Sequence, residues 1–194
     1  GGDPKAAEQF GGHVHAIGAE IALARDDGRT AHEEAARAVG ANWSGEARLH
    51  ARAWWSLERA DREIAADRGK GTAERARAWG DQQTEPVAAV YVALLEAEHA
   101  ASVSSPQTKA RFESALAAAT RVGAPIDIEA VTVSYTTWLM TARDLARARE
   151  VLHKNRQWGA TSFPVQMAYA RLYRETGDEQ GWRVALDRAK TCAG

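Results

Sequence analysis

The stretch that decides the fold is Phe163–Cys192, FPVQMAYARLYRETGDEQGWRVALDRAKTC. Two helical patterns flank a Gly177-Asp178 turn. Val165, Tyr169, Leu172 and Tyr173 fall on one stripe of the first helix, and Trp182, Ala185, Leu186 and Ala189 on one stripe of the second. Gly177 suits the left-handed residue that closes a helix, because it has no Cβ to clash there. Asp178 suits the start of the next helix, where its carboxylate accepts a backbone N–H left without an intrahelical partner. Neither helix can bury its stripe alone, so the hairpin needs neighbours.

Looser copies of that hairpin run upstream. Pro4 to Arg25 reads as a helix with Ala6, Phe10, Val14, Ile17 and Ile21 as its apolar stripe, weakened at Gly11-Gly12 by about 1 kcal/mol per glycine. Thr30-Ala31-His32-Glu33 is a capping box that opens a short helix to about Val39. Ser44 then reads as the N-cap of a long helix to about Arg68, which Gly69-Lys70-Gly71 ends, with Thr72 opening its partner. Pro86 and Pro106 each mark a helix's first turn, where a missing N–H costs nothing. The segment 126–140, IDIEAVTVSYTTWLM, is rich enough in β-branched residues for a strand. Yet Ile128, Val131, Tyr135, Trp138, Leu139 and Ala142 keep the helical period, and a helix is expected, its partner capped by Asp144. First helices therefore start near residues 5, 45, 86, 125 and 163. A period of about 40 residues is that of repeating helix pairs, each burying its stripe against the next. The expected fold is an all-α solenoid of about five antiparallel helix pairs, one repeat domain over residues 1–194.

Charge and composition narrow the function. Lys plus Arg number 25 and Asp plus Glu 26, so the net charge is −1, and no basic excess points to nucleic acid. No apolar run approaches the roughly 18 residues of a membrane span, so direct membrane insertion is not expected. The start, GGDPKAAEQF, lacks the basic end and apolar centre of a signal peptide. Gly1-Gly2 reads as a cloning remnant, and the chain as a fragment of a larger protein. The single Cys192 forbids an internal disulfide and leaves cytoplasm and periplasm both open.

Motifs with chemistry are few. Glu96–His99 and Glu150–His153 both fit Glu-x-x-His, the paired motif of di-iron bundles. At 100° per residue, Glu96 lies about 140° from the stripe centre at Tyr91, and Glu150 and His153 about 160° and 140° from Ala148. A di-iron site needs all of them inward, so they read as solvated residues. His13 and His15 splay by about 200° and cannot share one metal ion. With no HExxH, cysteine cluster, phosphate loop or GxSxG either, no catalytic site, metal or cofactor is expected. Glu98 falls on its helix's apolar stripe and calls for a buried Arg or Tyr partner.

One row stands out as a binding surface. On the helix from Ser44, Ala47, His50, Trp54, Leu57, Asp61 and Ile64 mark the packed stripe, while Arg48, Arg52, Trp55, Arg59 and Arg62 share an arc of about 80° on the other side. Guanidinium forks pair with carboxylates or phosphates, and the indole adds apolar area. Ile126, Val133, Met140 and Met167 hold corresponding positions on later first helices and would give the same groove an apolar end.

The last hairpin resembles a tetratricopeptide repeat (TPR) through Tyr169, Ala170, Tyr173, Gly177, Asp178, Leu186 and Ala189, with Trp182 where a small residue is usual. The preceding pair is similar through Tyr135, Leu139, Asp144, Ala148 and Leu152, with Arg143 at the glycine position. The resemblance implies a right-handed superhelix that binds partners on its concave face. Such arrays also resemble regulatory segments of bacterial sensor kinases and transcription regulators. The expected function is thus a non-catalytic module of a regulatory or assembly protein, holding a protein or peptide through Arg48, Arg52, Trp55, Arg59, Met140 and Met167, the arginines taking its acidic groups. The alternative is a sensor domain that binds a small anion between the repeats.

Overall fold

The computed structural model describes residues 4–41 and 46–193 and is all-α, with no strand among them. Helices α1 (Pro4–Leu23) and α2 (Gly28–Gly40) pack as a pair, as do α3 (Ala47–Ile64) and α4 (Ala66–Gly80). Helix α5 (Pro86–Ser102) leads into α6 (Thr108–Val122). Further pairs are α7 (Pro125–Thr141) with α8 (Leu145–Lys154) and α10 (Phe163–Glu175) with α11 (Glu179–Ala193), separated by the single turn α9 (Arg156–Gly159). The β-branched segment is helical, as its period requires, and the first helices begin close to the expected positions. The chain divides into two compact units, Gly1–Arg111 and Phe112–Gly194.

One turn recurs within the pairs. Asp26, Ser104, Arg143 and Gly177 have φ of 56°, 52°, 63° and 72°. The next residue's N–H reaches back to the carbonyls of Ala22, Ala100, Leu139 and Tyr173 at 2.9–3.0 Å, and each left-handed residue's own N–H bonds three residues back. These two bonds are the Schellman closure of a helix C-terminus. Asp27, Asp144 and Asp178 then accept the N–H of Thr30, Arg147 and Gly181 at 3.1, 3.2 and 2.8 Å, so each turn both stops one helix and starts the next. The cap of α2 is therefore Asp27, and Thr30 of the expected capping box lies inside the helix.

The α3–α4 junction is built differently. Helix α3 stops at Ile64, Ala65 is extended, and Gly69 and Gly71 lie within α4 instead of ending α3. A Cβ on Gly69 would meet Arg62 Cβ at 3.0 Å and Arg62 Cα at 3.2 Å, so the glycine serves a close approach of α4 to α3. The expected cap Ser44 lies outside the described residues.

In the first unit α3 is the centre, touching α1, α2, α4 and α5. Trp54 and Leu57 pack with Ala19, Ala35, Ala76 and Leu95. Between α1 and α2 the buried residues are small: Ala16, Ala19 and Ala22 against Ala31, Ala35 and Ala38. This reverses the expected face of α1, since Val14, Ile17 and Ile21 are 55%, 57% and 47% exposed; the side chains of Ala6 and Phe10 lie outside the described residues. Alanine faces let helix backbones approach closely, and tight packing with α2 and α3 selects them over the bulkier stripe. In the second unit Phe112 stacks on Tyr135 at 5.2 Å, with Trp138 beside it, and Ile128, Val131, Leu139, Leu152 and Leu172 are fully enclosed.

Candidate functional site

The arginine row of α3 is present, and neighbouring helices have taken it up. Arg52 forms a two-pronged ion pair with Glu20 of α1, Nε to Oε1 at 2.9 Å and Nη2 to Oε2 at 2.6 Å. Trp55 is half-buried with its ring 6.1 Å from Tyr91, and the Arg59 guanidinium lies 5.1 Å above the indole. Arg59 also sits 3.8 Å from Glu98, and Arg48 is half-buried and engaged within the fold. The row has the expected arc, but α1 and α5 pack against that arc as well.

Beneath the row lies a cluster of buried charges that the sequence reading found only in part. Glu98 gains the expected arginine partner: Arg62 donates to its backbone oxygen at 2.8 Å and to its carboxylate at 3.1 Å. One turn before Arg62, Glu58 is fully enclosed, 3.5 Å from Arg62 and 3.4 Å from His99 Nδ1 of α5. Burial pushes the Glu58 carboxyl up to about 7; Arg62 opposes the shift and Glu98 adds to it. His99 is driven the other way, by burial first and then by the positive charge of Arg62. Asp61, also buried, accepts a hydrogen bond from Thr72 at 2.5 Å and lies 2.7 Å from His32 Nδ1. The cluster ties α3 to α2, α4 and α5. Glu96, expected to face solvent, instead bridges Arg77 of α4 and Arg111 in the first turn of α6.

The two methionines belong to the other unit and differ from each other. Met140 is 3% exposed, inside the core, whereas Met167 on α10 is 39% exposed. Phe163, one turn before Met167, is 45% exposed, as is Ile126 on α7, the helix packed against α10. Arg171 and Arg174 are exposed on the same side, within about 80° of Phe163 around the helix. Neither has an ion-pair partner among the described residues.

The opposite side of α10 lines a cleft of about 690 Å³ with α8, α9 and α11. It exists because α8 stops at Lys154 and the chain turns through α9, leaving Tyr169 and Tyr173 half-open instead of fully packed. Their rings are nearly parallel, 6.0 Å apart, and Arg156 and Arg188 stand at the cleft. Both tyrosines were legible as a stripe, but only the short α8 makes that stripe a cleft floor. The useful signal was Tyr itself, whose hydroxyl favours a wet edge over a closed core.

Among the described residues no three His, Cys, Asp or Glu side chains converge as metal ligands, and no helix is long and apolar enough to cross a membrane. His15 sits 2.7 Å from Glu34, Glu150 pairs with Arg147, and His153 lines the cleft. No family profile matches the chain, and no curated protein or solved structure matches it significantly.

Proposed function

We propose that this chain is a non-catalytic, TPR-like module that holds a segment of a partner protein on α10, the first helix of its last pair. The observation that supports it is the face of α10 on which exposed Phe163 and Met167 stand beside Arg171 and Arg174, two cations without ion-pair partners among the described residues. Large apolar side chains one turn apart offer area to a partner's apolar residues, and guanidinium groups beside them suit its carboxylates. The expected chemistry, acidic and apolar, is thus kept, but it moves from α3 to α10. A face carried on a packed helix is preformed, so the ordering cost falls on the partner segment.

A pull-down comparing wild type with Met167→Asp/Arg171→Glu and with Arg48→Glu tests this, after circular dichroism shows equal helicity. The expected result is a partner retained by wild type and Arg48→Glu and lost by the α10 variant. A partner set unchanged by the α10 variant would sink the assignment.

A further inference from the structure

We propose that the cleft between α9, α10 and α11 is a second binding site, for a small organic anion in which a carboxylate or phosphate is joined to a flat ring. It is separate from the partner face: Tyr169 lies about 200° around α10 from Met167. Its volume, about 690 Å³, falls within the range of small-molecule pockets.

The chemistry follows from what lines it. Arg156 of α9 and Arg188 of α11 line the cleft together with Tyr169. Burial raises that phenol's pKa, and Tyr173 adds to the effect, while both guanidinium groups pull it down, which places both within electrostatic reach of one hydroxyl. Among the described residues neither arginine has an ion pair, and neither tyrosine hydroxyl has a hydrogen-bond partner. An oxyanion between the two forks would satisfy all of them. The one carboxylate in the lining, Asp178, is occupied in capping α11 through Gly181 N–H at 2.8 Å. The tyrosine rings offer a flat apolar wall to the rest of the ligand.

The site is also rigidly built. Gln166, 4% exposed, donates from Nε2 to the Gly159 carbonyl at 2.9 Å and so fixes the end of α9, which carries Arg156, against α10. A Cβ on Gly181 would lie 2.8 Å from the Tyr173 ring, so α11 meets that ring with no room to spare.

Calorimetric titration of the whole chain with phenyl phosphate, benzoate, inorganic phosphate and phenol tests the proposal. At least one aryl anion is expected to bind one-to-one, about tenfold or more tighter than inorganic phosphate or phenol; the stronger of the two names the oxyanion. Arg156→Gln/Arg188→Gln should weaken it by about tenfold or more, whereas Arg183→Gln, at an exposed pair with Glu179, should leave it unchanged. Independently of any variant, the bound anion should shift the ring-proton signals of Tyr169 and Tyr173. Aryl anions that bind no better than inorganic phosphate or phenol, an unaffected double variant, or unmoved tyrosine signals would each overturn it.

Discussion

The left-handed residue that closes the first helix of a pair is glycine at position 177 but Asp26, Ser104 and Arg143 at the equivalent turns. A Cβ in that conformation costs roughly 1–2 kcal/mol, which glycine avoids at the expense of a more flexible unfolded chain. Ser104 is exposed, and its side chain has no partner among the described residues, so little is lost by removing it. Ser104→Gly is expected to stabilise the protein by about 0.5–1 kcal/mol, and Gly177→Ala to destabilise it by about 1 kcal/mol or more. Urea midpoints moving in opposite directions would bear this out; a lower midpoint for Ser104→Gly would mean that the turn is held by something other than its backbone. Gly177-Asp178 announces this turn in the sequence because both residues have the side chains it prefers. Arg143-Asp144 announces half of it, through the cap alone, and Ser104-Ser105 almost none.

At the scale of helices, legibility divides along the same physical line. Pro86, Asp144 and Asp178 act locally, and they place helix starts, whereas Gly69 and Gly71, read as a stop, lie inside α4. Which face of a helix is buried depends on what packs against it. Helix α3 touches four others, so its polar arc is half-buried beside a stripe in which Trp54, Leu57 and Asp61 are buried and Ile64 stays exposed. Arg52 and Glu58 could be placed on the helix from sequence, but not their partners Glu20 and His99, which come from distant helices. The enclosed Glu58 has a consequence that titration exposes. Its folded-state value near 7 lies above the usual carboxylate value of 4.5, so between these pH values the folded protein holds a proton that the unfolded chain has released. Stability contributed by this group is complete below about pH 4.5 and is lost as pH rises toward 7, by at most about 1.4 kcal/mol per pH unit. Glu58→Gln should remove that slope and be more stable than wild type at pH 8, with the difference shrinking toward pH 5. His99, whose pKa is lowered, adds a slope of opposite sign below its unfolded value of 6.5, so the Glu58 slope is read above that pH. Parallel curves for wild type and Glu58→Gln would show that Glu58 is ionised throughout.

At the scale of the whole molecule, each compact unit has its own core, and most contacts run between helices close in sequence. Helix pairs packed in chain order can open in parts, because a pair's stability rests on its own packing and on its immediate neighbours. Gly159 offers a place to load one unit alone: a Cβ there would lie 2.3 Å from Cγ1 of the buried Val165, so α9 and α10 must shift. Overpacking of that kind costs about 1–3 kcal/mol. Gly159→Ala should therefore speed amide hydrogen exchange in α10 and α11 by about tenfold or more while α1 to α4 keep their protection. Faster exchange by an equal factor in both units would show instead that the chain unfolds as one cooperative body. In the first case a ligand in the cleft should restore protection to α10 and α11 alone, because binding energy stabilises only the openings that destroy its site.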